Sequence, residues 1–212
     1  MIKEEDNGRR SADGIYDREL THRTANLLQQ AIAALHLASR GDRSHAAAAI
    51  ERITGAAELQ RLLGSTGSEQ AELTAYLAAI CSALTKMHGA ENAIELRLDS
   101  SRVGAGEKFT RCVGMIVAEL VGNAIRHAFQ ARGGRITVTM RDDGDHGALI
   151  VEDNGVGGGW TRAGGQGHGI IDALARDLSG TVQRSRTPEG LSRVEIRGLI
   201  LDQSVRQPMT AV

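Results

Sequence analysis

Near Met87 the chain changes character, and that change limits what it can fold into. Upstream there is no proline and little β-branched sequence, only long runs rich in Ala and Leu that favour helices. Downstream, strand-like alternation is interleaved with helical periodicity. The upstream pattern predicts a helix from about Ile15 to Arg40, a turn at Gly41-Asp42-Arg43 and a second helix from Ser44 to about Leu63. Gly64 to Ser68 interrupts the periodicity, and Ser68 suits the N-cap of a third helix from Glu69 to Met87. Beyond it, residues 93–100 alternate like a strand, Glu107–Arg132 reads as a helix, and 135–141 and 148–153 read as strands. A glycine-rich stretch then leads to a helix from about Gly169 to Leu178 and strands near 180–186 and 192–198. The expected class is α+β, a two-helix hairpin followed by an α/β sandwich. Its expected divisions are a polar tail (1–14), the hairpin (15–66), the sandwich domain (67–200) and a second tail (201–212).

The first helix has two distinct sides. With His22 set at 0°, Leu20, Leu27, Leu28, Ala31 and Leu35 cluster between about 140° and 240°. Arg18, His22, Asn26, Gln29, His36 and Arg40 lie within about 40° of zero. His22 is therefore expected on the solvent side, opposite the apolar stripe. Two amphipathic helices cannot bury such stripes with each other alone. Pairing with a second copy would complete a dimeric four-helix bundle.

Composition excludes several classes of function. The chain has 212 residues, of which 41% are hydrophobic and only 2% aromatic, so any core must be aliphatic. A net charge of −1 and the lack of a basic block argue against nucleic acid or an anionic membrane as partner. No apolar run approaches the roughly 18–20 residues that cross a bilayer, and the polar N-terminus lacks a signal-peptide core. Cys81 and Cys112 are far apart without CxxC spacing, so neither a disulfide framework nor a zinc site is expected. Free thiols suit a reducing cytoplasm.

Two segments carry candidate chemistry. Within Val117–Gly134, Glu119, Asn123, Arg126 and His127 fall along one side of a helix whose other side is apolar. Asn has poor propensity there, because its amide competes for backbone hydrogen bonds. That side is either a solvated surface or the wall of a pocket for phosphates and a metal. The second segment joins a strand end to a helix start and carries eight glycines among the fifteen residues from Gly155 to Gly169. It opens with Asp153-Asn154-Gly155-Val156-Gly157 and closes with Gly165-Gln166-Gly167-His168-Gly169. Glycines let backbone amides approach an anion, and a helix N-terminus adds partial positive charge. The alternative is a flexible linker. Neither a Walker GK[ST] nor a tight Rossmann turn is present.

The succession E-x-x-x-N-A-x-x-H-A, D-x-G-x-G and G-x-G-x-G over about residues 90–198 resembles the N box and two glycine boxes of the GHKL ATPases. Histidine kinases, DNA gyrase, heat-shock chaperones of the ninety-kilodalton class and mismatch-repair ATPases form that group. The resemblance implies a GHKL, or Bergerat, sandwich that binds ATP and Mg²⁺. Asn123 would hold the metal with the phosphates, Glu119 would polarise or position a reacting group, and Arg126 and His127 would lie near the phosphate tail. Asp153 would accept the adenine amino proton. Gly155, Gly157, Gly165, Gly167 and Gly169 would belong to a lid over the phosphates.

Glu19-Leu20-Thr21-His22-Arg23-Thr24-Ala25-Asn26-Leu27-Leu28-Gln29 is similar to the E-x-x-H-R-x-x-N-x-L-Q box of a histidine-kinase subclass related to the kinases with an HWE signature. By that resemblance His22 is the phosphoacceptor, the hairpin is the homodimerisation domain, and the partner is the receiver domain of a response regulator. Asn26 would position a water for regulator dephosphorylation, as in bifunctional relatives. Arg23 stands where many kinases carry an acid, and Glu19, one turn earlier, is the nearest carboxylate in the box. Gly190-Leu191-Ser192-Arg193 stands where G-T-x-F is frequent, and His36 is a rival acceptor on the same stripe. With about fifteen residues before the first helix, the signal is expected to arrive through a partner such as a separate sensor protein, a bound ligand or regulated expression. A phosphotransferase or response-regulator phosphatase is the alternative function, and an anti-sigma serine kinase a third. The His22 box argues against the third.

Overall fold

The computed structural model describes residues 2–39, 43–64, 73–88, 93–100, 105–129, 133–144, 146–156 and 166–201. The turn at Gly41, the cap at Ser68, the lid glycines Gly157 and Gly165, and the tail beyond Leu201 lie outside the described residues. Three helices lead the chain: α1 (Ile2–Ser39), α2 (Arg43–Gly64) and α3 (Leu73–His88). Then follow β1 (Ile94–Ser100), α4 (Glu107–His127), β2 (Gly134–Asp142), β3 (His146–Asp153), α5 (Gln166–Asp177), β4 (Thr181–Arg186) and β5 (Ser192–Ile200).

The five strands form one mixed sheet in the order β1-β2-β3-β5-β4. β1 and β2 pair in parallel with α4 as their crossover, and the other pairings are antiparallel. Alternation sets which face is covered. Ile136, Val138 and Met140 of β2 and Leu149 and Val151 of β3 are buried beneath the helices. Charged partners such as Glu95–Arg135 and Glu152–Arg193 pair across strands. This mixed α/β architecture fits a GHKL sandwich.

α4 is the central helix. Fourteen of its residues are buried, including Val113, Ile116, Val117, Leu120 and Val121, because α3 and α5 flank it and the sheet lies beneath. It ends at His127, short of the expected Arg132. Phe129 turns into the core, and a side chain at Gly134 would come within 2.1 Å of its ring. That contact folds the chain back into β2. The Ala128 amide closes the last turn on the Ala124 carbonyl at 2.8 Å.

α1 differs from expectation at its other end, since it begins at Ile2 within the stretch read as a polar tail. Residues 2–14 contain charged and small residues but no proline, and Gly8 and Gly14 weaken a helix without ending it. The core also runs across the expected hairpin boundary. Tyr16 of α1 and Leu59 and Leu63 of α2 are buried in the same cluster as Leu73, Leu77 and Ile80 of α3. The Tyr16 hydroxyl donates to the Leu63 carbonyl, tying α1 to the end of α2.

Candidate functional site

A cleft of about 610 Å³ opens between α1, α2, α4 and α5. α1 contributes Glu19, His22, Arg23 and Asn26, α4 contributes Glu119, Asn123 and Arg126, and Ile170 of α5 closes one side. The side of α1 expected to face open water therefore lines a cleft shared with α4. His22 is exposed within it, as expected. The amide nitrogen of Asn26 lies 3.4 Å from its Nδ1, one helical turn along.

On α4 the polar residues divide by depth. Glu119 is 7% exposed, Asn123 is half-buried, and Arg126 and His127 are exposed as whole residues. Arg126 donates from Nη2 to Asn123 Oδ1 at 2.6 Å, so the amide oxygen already faces a cation. Burial pulls the Arg126 guanidinium below its ordinary value, while the Glu119 charge opposes that shift. Gly122, one turn before Arg126, leaves room for the guanidinium: a Cβ there would stand 3.2 Å from Nη1.

Charge is concentrated where α1 meets α4. Arg23 donates to Glu119, and its Nε lies 3.1 Å from a Glu19 oxygen, an ion pair without hydrogen-bond geometry. Burial raises the Glu19 carboxyl above its usual range, the Glu119 charge raises it further, and the Arg23 guanidinium opposes both. Sequence reading marked Arg23 only as a departure from the usual acid. Its ion pair with Glu119 spans 96 positions, and nothing local announces such a contact.

Asp153 sits at the end of β3, paired to Ile136 of β2 and Ser192 of β5. It follows Leu149 and Val151 on the helix-covered face and is 1% exposed. One carboxylate oxygen accepts the Gly155 amide at 2.9 Å, which fixes the side chain and shapes the turn. A Cβ at Gly155 would come within 2.5 Å of Ala128, so only glycine lets this turn lie against the end of α4. Next to it, Asn154 Oδ1 accepts the Arg135 amide at 2.7 Å. Gly167 lies in the first turn of α5, which starts at Gln166 rather than Gly169, and Gly169 is exposed. Asp153, Gly155, Gly169 and His127 are not among the residues lining the α1–α4 cleft. The sequence-derived site thus falls into a cleft lined by His22 and a buried carboxylate at the strand end, with α4 running between them.

Residues 110–200 match the family described as histidine kinase-, DNA gyrase B- and HSP90-like ATPases. Over 125 residues the chain is 29% identical to blue-light-activated histidine kinase 2 of Erythrobacter litoralis (strain HTCC2594). That alignment takes in 56% of this chain and 36% of the relative, so the chain spans little more than a third of the relative's length. The fold is like that of the histidine kinase domain of a blue-light-activated histidine kinase from Erythrobacter litoralis, with a TM-score of 0.56 and 23% identity over 86% of this chain and 96% of that one. It is also like a bacterial phosphotransferase, at a TM-score of 0.60 and 10% identity over 88% and 95% of the two chains. Full-length ShkA in complex with AMPPNP gives a TM-score of 0.50 and 15% identity over 77% and 39%. The sequence match supports a GHKL-type ATP-binding domain over residues 110–200.

Proposed function

We propose that the chain is a two-component histidine kinase of the H-R-x-x-N box subclass, which phosphorylates His22 from ATP and passes the phosphoryl group to an aspartate of a response regulator. The observation that carries this reading is the shared cleft, in which exposed His22 faces Glu119 and Asn123 of the ATPase-type domain. An imidazole nitrogen of His22 attacks the γ-phosphorus in line. The N–P bond forms as the P–O bond to the β-phosphate breaks, the electron pair leaves with ADP, and the imidazolium then sheds its ring proton. Asp153 receives the adenine amino group. Asn123, whose amide oxygen here accepts from Arg126, would offer that oxygen to the metal once Arg126 turns to neutralise phosphate charge.

The donor set fits Mg²⁺ brought in with the nucleotide. Among the described residues no group of three or more His, Cys, Asp or Glu could hold a metal without it, whereas one amide oxygen completed by phosphates and waters suits this ion. Bound there, Mg²⁺ supplies charge neutralisation on the transferring group. A homodimer through the hairpin, in the cytoplasm, completes the reading. The exposed Leu28, Ile32 and Leu35 of α1 and Ile50 of α2 support the dimer, and among the described residues no helix is long and apolar enough to cross a membrane.

The test is incubation with radiolabelled ATP and Mg²⁺. The label should be labile to acid and stable to alkali, and His22→Ala should abolish it while leaving ATP affinity near wild type. An acid-stable label would point to a serine kinase. Label persisting on His22→Ala would move the acceptor to His36 or elsewhere. The phosphatase reading draws on the nearness of Asn26 to His22 and is compatible with kinase activity in the same chain.

A further inference from the structure

Among the described residues, α1 meets α4 at two places. Near the start of α4, the Arg111 guanidinium lies 4.5 Å from the centre of the Tyr16 ring. Seven residues further along α1, about 10 Å at 1.5 Å per residue, Arg23 donates to Glu119. One contact leaves a helix free to swing about it, whereas two separated contacts fix its angle. The second stands beside His22. Around that point α1 also packs against α2 and α5, with Leu20 and Leu27 half-buried and Leu28 exposed. On the α2 side, Gln60 donates to the Leu20 carbonyl at 3.1 Å and to Thr24 Oγ1 at 2.8 Å.

We propose that Arg23 is a positioning residue for phosphoryl transfer: held between Glu19 and Glu119, it sets the acceptor helix against α4 so that His22 faces the Glu119–Asn123 wall. The inference rests on the kinase reading and deepens it. The Arg23 side chain is 18% exposed, and the side chains of Glu19 and Glu119 are 13% and 9% exposed, so water does little to screen the group. Without the cation, two largely buried carboxylates would face each other, and that repulsion would open the α1–α4 contact. Lysine would keep the charge but lose the fork that engages both acids at once. Arg23 touches no reacting atom in this role. It acts through the place it gives His22 relative to Glu119.

The experiment pairs a rate with a measurement that needs no turnover. In single-turnover labelling, Arg23→Ala should slow phosphorylation of His22 roughly 10- to 100-fold, the scale of a catalytic misplacement of about 1 Å. ATP affinity should stay within about twofold, because Asp153 and Asn123 are untouched, and Arg23→Lys should regain part of the rate. Amide hydrogen exchange over residues 17–28 should be faster in Arg23→Ala and close to wild type in Arg23→Lys. A wild-type rate with wild-type exchange in Arg23→Ala would overturn the proposal. So would an equal loss in both variants accompanied by weakened ATP binding, since that marks general structural damage. If the wild-type protein takes no label at all, the kinase reading fails on its own, while the exchange comparison still decides whether Arg23 docks the helix.

Discussion

Leu120 and Leu35 lie on helices of the same chain, yet the first has no accessible surface and the second leaves 70% of its own exposed. The contrast separates the sandwich from the hairpin. Around α4, the helices and sheet of one chain close over the large aliphatic groups, with only Ile125 of that helix left half-buried. Along α1, Leu28, Ile32 and Leu35 stay uncovered, although their spacing is as regular as that of any core helix. A regular apolar stripe shows only that a helix has a face to bury. Whether its own chain covers that face depends on how many elements surround it.

The largest effects should follow this division. Leu120→Ala removes a fully buried side chain beneath α3 and α5 and should cost about 2–5 kcal/mol of stability, read from denaturant melts. Leu35→Ala should change chain stability by less than about 0.5 kcal/mol. Leu28→Asp combined with Leu35→Asp should leave the sandwich folded but abolish dimers, because charges would have to enter the bundle. Wild-type protein that stays monomeric at high micromolar concentration in light scattering would break the comparison, leaving the hairpin's leucines exposed with no partner copy.

A smaller effect sharpens the comparison from the sandwich side. Asp153→Asn keeps the shape of a buried side chain that already accepts the Gly155 amide, so the fold should survive. It loses the charge that strengthens a bond to an adenine amino group, a cost of about 1.5–3 kcal/mol. ATP binding should weaken roughly tenfold or more by calorimetry, while dimerisation stays unchanged. Near-native affinity would remove Asp153 from the nucleotide site.

Local periodicity made most of the fold legible. β1 alternates residue by residue from half-buried to exposed, and α4 shows its apolar stripe and its polar positions together. What the sequence hid depends on contacts between distant segments. The end of α4 is set by the packing of Phe129 against Gly134, and the early start of α1 has no cap to mark it. The candidate site follows the same rule. Glu119 and Asn123 are legible from their spacing on one helix, and Asp153 from its place at a strand end before glycines. Arg23 reads only as a departure from the usual acid until α1 and α4 are brought side by side.

The smallest expected effect concerns Asn26, where the hairpin acts without the ATP site. Its amide lies 3.4 Å from His22 Nδ1, exposed on the same side of α1, so it would stand beside any phosphoaspartate docked against His22. An amide there can hold a water in line with the phosphorus of the incoming regulator, and neither partner needs nucleotide for that step. Asn26→Ala should therefore keep autophosphorylation and transfer near wild type while slowing dephosphorylation of the regulator several-fold, a difference of about 1 kcal/mol in barrier. The measurement uses the cognate regulator, loaded with phosphate and freed of ATP, mixed with wild-type or variant protein. Equal rates would confine Asn26 to a local hydrogen bond, and the hairpin would then serve only to receive and pass on the phosphoryl group.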